Sequence, residues 1–130
     1  TLDFPDHWQV QVHAMRDAPP LTPAEIRAGL AHPLATPSLP ELARQAETVA
    51  IAVDDLSRPT PAFAVLPLLL DPLHAAGISP ENITLVIGLG SHTALSNEDM
   101  IKKLGADIVS RYRVLNHDCE RDLIDLGVSV

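Results

Sequence analysis

Apolar and polar positions along this chain alternate in a way that predicts strands and helices in turn. Val49-Ala50-Ile51-Ala52-Val53 and Ile83-Thr84-Leu85-Val86-Ile87 are short apolar runs bounded by polar or turn residues, the pattern of buried strands. Arg113-Val114-Leu115 reads as a third strand. Between the first two, Ala62 to Ala76 is apolar nearly all round, which predicts a helix buried between layers. Thr60 supplies its N-cap, Pro61 its first turn and Gly77 its end, and Pro67 is expected to kink or split it. Ser96-Asn97-Glu98-Asp99 opens another helix with Met100, Ile101 and Leu104 on its inner face and Gly105 as its stop, and Asp107 to Arg111 adds one more turn.

Two short helices precede the first strand. Thr22-Pro23-Ala24-Glu25 combines a hydroxyl cap, Pro at the first helical position and Glu three residues after the cap, predicting a helix to about Ala31. Ser38-Leu39-Pro40-Glu41 repeats the device for a helix ending near Glu47, with His32-Pro33 and Thr36-Pro37 as a rigid loop between. Gln9-Val10-Gln11-Val12-His13 alternates like a half-exposed strand at a sheet edge. Strand, helix, strand, helix, strand is the order of right-handed crossovers. It predicts an α/β, Rossmann-like fold with a mainly parallel sheet and flanking helices.

Composition narrows the partners. The chain has 130 residues, enough for one domain with its own core, and is 46% hydrophobic but only 3% aromatic, so the core is expected to be aliphatic. Seventeen acidic against nine basic residues give a net charge of -8, with no Lys/Arg run, which argues against nucleic acid. Cys119 stands alone, excluding an internal disulfide and suiting a reducing compartment. The longest apolar stretch, Ala62 to Leu70, is far short of the ~20 residues of a membrane span. A soluble, cytoplasmic protein is expected. The chain lacks an initiator Met, and Leu126-Gly127-Val128-Ser129-Val130 reads as a turn entering a further strand, so residues 1–130 are expected to be an incomplete N-terminal α/β domain of a longer, two-domain protein.

The candidate chemistry lies where the first two strands end. Asp54-Asp55-Leu56-Ser57-Arg58-Pro59-Thr60-Pro61 follows the first run without a spacer, at the carboxyl end of a strand, where open α/β sheets bind ligands. Pro59 stiffens the loop around Arg58, whose guanidinium can grip a carboxylate or phosphate in bidentate fashion, or else pair with Asp54 or Asp55 as an ordinary surface arginine. Strand parity allows only one of the two aspartates to share Arg58's surroundings, and Asp55 is expected to be the ligand-facing one, Asp54 a capping or solvent group. Gly88-Leu89-Gly90-Ser91-His92-Thr93 delivers an imidazole from a glycine-rich loop, suited to general acid or base work unless a loop carbonyl occupies it. The dinucleotide fingerprint fails, because Thr93 stands at its third glycine. His117-Asp118-Cys119 matches no zinc spacing and reads as a structural strand end. His7, His13, His32 and His74 have no supporting context, and Trp8 and Tyr112 read as packing residues.

Together these loops resemble the N-terminal domain of the lactate racemase family, the nickel-pincer-nucleotide-dependent 2-hydroxyacid racemases and epimerases. Its Asp-x-Thr-Arg-Pro loop is matched by Asp55-Leu56-Ser57-Arg58-Pro59, with Ser for Thr. Its Thr-Gly-x-His-Arg loop is matched by Leu89-Gly90-Ser91-His92-Thr93, departing at Leu89 and Thr93, and its Asn-His-Asp stretch by Asn116-His117-Asp118. The departures beside His92 leave the substrate open.

The resemblance implies an isomerase in which His92 takes the proton from a substrate 2-hydroxyl while the C2 hydride moves to the nickel pincer nucleotide (Ni-pyridinium-3,5-bisthiocarboxylic acid mononucleotide) and returns on the other face. Asp55, Leu56, Ser57 and Arg58 would contact cofactor or substrate, and Arg58 would stabilise the developing carbonyl or the carboxylate. The tethering Lys, the nickel-ligand His and a second catalytic His are expected downstream, in the C-terminal domain. No metal ligand is assigned within residues 1–130, Lys102 and Lys103 are not recruited as the tether, and this stretch alone is expected to be inactive. The alternative is a non-catalytic α/β module that holds a small carboxylate or phosphate with the same loops, or a scaffold whose polar loops only join domains.

Overall fold

The computed structural model describes residues 3–121, 123–125 and 127; of the expected strand entry at 126–130, all but Gly127 lies outside the described residues. Three parallel strands, β1 (Val49–Asp54), β2 (Ile83–Gly88) and β3 (Arg113–Asn116), form a sheet in the order β1-β2-β3. Val49 pairs with Ile83 and Leu85 with Val114, so all three strands end at one rim. Helix α3 (Ala62–Ala75) connects β1 to β2, and α4 (Asn97–Leu104) with α5 (Ala106–Arg111) connects β2 to β3. This is the expected α/β arrangement.

Burial separates the two faces of the sheet. Ile83, Leu85 and Ile87 have no exposure and meet Leu66, Leu70, Leu73, Leu104 and Ile108 from the helices, with Val49, Ile51, Val53 and Val114 beside them. On the opposite face Ala50 and Ala52 are exposed and Thr84 and Val86 half-buried. Helix α3 also packs against α1 (Pro23–Ala31) and α2 (Leu39–Ala43), which makes it the middle layer that its all-round apolar pattern predicts.

Local chemistry explains the boundaries. Thr22 and Glu25 close a reciprocal capping box on α1, and Ser96 with Asp99 does the same on α4. Ser38 donates through its amide and hydroxyl to Glu41, but α2 stops at Ala43 rather than near Glu47, because the amides of Gln45 and Ala46 bond three residues back and tighten the chain into turns.

Five expectations are corrected. Gln9–His13 is not a strand: its alternation is local, no strand edge among the described residues pairs with it, and Val12 is 89% exposed. Trp8 is likewise exposed, its ring centroid 6.2 Å from that of Phe4. Pro67 does not split α3, because it lies on the exposed side with Phe63, where water can satisfy the carbonyl that a proline four residues on leaves free. Thr60 does not cap α3; Pro61 takes that position and the Thr60 hydroxyl donates to Asp54 Oδ2 at 2.6 Å. On α4, Ile101 is 39% exposed and Lys103 takes the inner position beside Leu104. Among the described residues no helix is long and apolar enough to cross a membrane.

Candidate functional site

Both loops singled out in the sequence leave the same rim of the sheet. The first turns at once after β1, with the Arg58 amide donating to the Asp55 carbonyl at 3.3 Å. The second turns after β2, with the His92 amide donating to the Leu89 carbonyl at 3.0 Å and Gly90 at φ +59°, a left-handed conformation that glycine adopts without penalty. Leu89 is buried and sends its side chain into the core, which anchors the start of this turn. Asn116 anchors its far side: its amide donates to the Leu95 carbonyl at 3.0 Å and accepts from the Leu95 amide at 3.1 Å.

Asp55 joins the two loops. One oxygen accepts from the Ser57 hydroxyl at 2.5 Å and the Ser57 amide at 3.0 Å; the other lies 2.5 Å from His92 Nδ1. These bonds, the Ser57 hydroxyl first and His92 next, hold the carboxyl down at about 2 from an ordinary 3.8. An ionised carboxylate only accepts, so Nδ1 carries the hydrogen, and the tautomer that this leaves to the neutral form has its lone pair at Nε2. The His92 side chain is 56% exposed, and that nitrogen has no partner among the described residues. Asp55 itself is 6% exposed, and its two oxygens are engaged by Ser57 and by His92, so it orients the imidazole.

A cleft of about 310 Å³ lies between the loops, with Asp54, Asp55, Ser57 and Arg58 on one lip and Gly88 through His92 on the other. The structure thus brings His92, Arg58, Ser57 and Asp55 to one cleft; Leu56 is half-buried and is not part of its lining. Arg58 is exposed and belongs to none of the described ion pairs, so the surface pairing with Asp54 or Asp55 does not form. A second cleft of about 270 Å³ shares Leu89, Gly90 and His92 and extends to Asn116, His117 and Cys119. His117 donates its backbone amide to the Ile87 carbonyl, extending the sheet ladder, while its buried Nδ1 has no partner among the described residues. No group of three or more potential metal ligands occurs among the described residues.

The contact between two polar residues, Asp54 and Lys103, escaped the sequence reading. Asp54 accepts from Thr60 and from Lys103 Nζ at 3.1 Å; the Thr60 hydroxyl first, then Lys103, lowers its pKa. Lys103 stands where the α4 pattern has its apolar face, between Met100 and Leu104, and that misplaced charge was the available signal.

The comparisons with known proteins bear on the family and the fold. A lactate racemase from Thermoanaerobacterium thermosaccharolyticum is 31% identical over 93 residues, 72% of this chain and 22% of the relative. One from Lactiplantibacillus plantarum is 29% identical over 93 residues, 71% of this chain and 22% of the relative. The chain therefore spans about a fifth of the length of these curated relatives. The solved structure of the lactate racemase apoprotein from T. thermosaccharolyticum superposes with a TM-score of 0.69 at 30% identity, covering 74% of this chain and 23% of that one. The model of the lactate racemase N-terminal domain matches residues 1–129, and the chain belongs to that family.

Proposed function

We propose that this chain is the N-terminal catalytic domain of a 2-hydroxyacid racemase or epimerase, lactate being the first substrate to test, and that His92 and Arg58 are its contribution to the reaction. The observation that carries this reading is the Asp55–His92 pair, which leaves one ring nitrogen open beside the cleft lined by an unpaired Arg58. His92 Nε2 takes the proton of the 2-hydroxyl as the carbonyl forms, and the Asp55 carboxylate at Nδ1 stabilises the imidazolium until the proton is returned. Arg58 holds the substrate carboxylate or the developing carbonyl oxygen, supplying fixed positive charge without reorganisation.

The cleft also suits an anionic nucleotide. Arg58 has no acidic partner among the described residues, while Asp55 is engaged by Ser57 and His92 and Asp54 by Thr60 and Lys103, so a phosphate meets a cation and no bare carboxylate. Ser57 and Arg58 are the residues here that would hold a nickel pincer nucleotide, which when bound supplies a reversible acceptor for the hydride of C2. The tether, the nickel ligand and the second proton acceptor are assigned to the C-terminal domain of the same protein, and residues 1–130 alone are expected to be inactive.

Incubating the cofactor-loaded full-length protein with L-lactate and resolving the products by chiral chromatography should yield D-lactate. Arg58→Ala should lower kcat/KM on the order of a hundredfold, as expected when a charge-assisted, bidentate grip on the substrate is lost. No interconversion of lactate or of a panel of 2-hydroxyacids, alongside measurable carboxylate binding, would leave the chain a binding module.

A further inference from the structure

Lys103 lies outside the motifs that mark the site, yet it is 3% exposed with its ammonium directed at the Arg58 loop. Nζ sits 3.1 Å from Asp54 Oδ1, 3.1 Å from the Arg58 carbonyl and 3.1 Å from the Thr60 carbonyl. An ammonium has three hydrogens, and each finds an acceptor. The acceptors lie at the start, middle and end of one loop: Asp54 closes β1, Arg58 carries the exposed guanidinium, and Thr60 precedes α3.

Burying a lysine is costly, and an apolar side chain between Met100 and Leu104 would pack α4 without that cost. What an apolar side chain cannot do is grip two backbone carbonyls. One of these belongs to Arg58 itself, so the contact constrains the backbone from which the guanidinium extends. The loop's other holds fall before Arg58 or after it: the Arg58 amide bonds back to the Asp55 carbonyl, the Ser57 amide and hydroxyl to the Asp55 carboxylate that also meets His92, and the Thr60 hydroxyl to Asp54, so Lys103 is the side chain that takes the Arg58 carbonyl. We propose that Lys103 is a positioning residue for Arg58, fixing the guanidinium over the cleft by clamping the loop at Asp54, Arg58 and Thr60 from α4. The proposal rests on the reading of Arg58 as the group that grips the substrate.

A double-mutant cycle in the full-length, cofactor-loaded protein tests it, with kcat and KM for lactate interconversion and the melting temperature as readouts. Lys103→Met should lower kcat/KM by roughly ten- to a hundredfold in the folded protein, the scale expected when a substrate-positioning group is misplaced. In the Arg58→Ala background the same substitution should change kcat/KM by less than about threefold, because the group it positions is gone. Equal losses in both backgrounds, or a lowered melting temperature with unchanged kcat/KM, would overturn the positioning role and leave Lys103 structural. An Arg58→Ala protein with wild-type kcat/KM would instead sink the underlying reading of the site, and the proposal with it. Should Lys103→Met be recovered unfolded, Lys103→Gln, which keeps two donors but no charge, carries the same cycle.

Discussion

Two histidines of this molecule sit in contrasting hydrogen-bond environments. His74, on α3, is closed: Nδ1 lies 2.7 Å from the Ile78 carbonyl and Nε2 2.7 Å from the Tyr112 hydroxyl, with the Tyr112 ring stacked at 5.9 Å. A carbonyl only accepts, so Nδ1 carries the hydrogen and Tyr112 donates to Nε2, leaving the ring no capacity for a further partner. His92 is half-closed. Its Nδ1 is committed to Asp55, its Nε2 has no partner among the described residues, and the residue lines the cleft. The same side chain thus ties a helix to its neighbour in one place and keeps one nitrogen without a partner among the described residues in the other, and the number of satisfied nitrogens distinguishes the two.

The largest expected effect follows from that distinction. His92→Ala in the full-length protein should lower kcat for lactate interconversion by roughly 10²- to 10⁴-fold with little change in melting temperature. His74→Ala should do the reverse, leaving kcat near wild type and lowering stability by about 1–3 kcal/mol, since Tyr112 and Ile78 lose their partner in a part-buried setting. Kinetics and thermal melts on both variants measure the contrast, and a His74 variant that folds but fails to turn over would break it.

A smaller effect is expected from disturbing only the tautomer. In Asp55→Asn, the Ser57 amide and hydroxyl require an acceptor and hold the amide oxygen, so the amide nitrogen turns to His92 and donates. Nδ1 must then accept, which moves the ring hydrogen to Nε2 and removes the base. Loss of kcat on the order of ten- to a hundredfold is expected, with KM for lactate nearly unchanged because Arg58 is untouched. Nitrogen-15 shifts of the His92 ring report the tautomer directly; an unchanged ring pattern would show that Asp55 does not set it.

The half-open environment of His92 was only partly legible in the sequence. The strands ending at Asp54 and Gly88 and the glycine before Ser91 were readable because they are local patterns, and they sufficed to put His92 and Arg58 at one rim. The identity of the His92 partner was not, since Asp55 lies 37 residues away and strand parity made it look ligand-facing. Lys103 was harder still: it meets Arg58 across 45 residues, and only the helix period places it on the inner face. The Thr60 hydroxyl shows the same limit, since capping chemistry and a contact with Asp54 compete for one side chain and the sheet geometry decides. At Gln9–His13, period-2 alternation was present but a strand needs a partner edge, and none among the described residues meets it.

The gentlest test compares the two environments by acid. Hydrogen bonds from Ser57 and His92 lower the Asp55 pKa to about 2 in the folded chain from an ordinary 3.8. A carboxyl with a depressed folded-state pKa binds fewer protons folded than unfolded, so its contribution to stability is complete above the unfolded value and disappears as pH falls through the folded one. The window therefore runs from about pH 4 down to about pH 2. Asp54, Glu25 and Glu41 are also lowered and add their own slopes, so the informative quantity is the difference between wild type and Asp55→Asn. Denaturant midpoints should favour wild type at pH 5 and converge toward pH 2, while the gap between wild type and Tyr112→Phe, which disturbs only the His74 contact, should stay constant across the same window. A wild-type advantage over Asp55→Asn that persists undiminished at pH 2 would mean that the bond to His92 does not depend on an ionised Asp55, and the assignment of the open lone pair to Nε2 would fall with it.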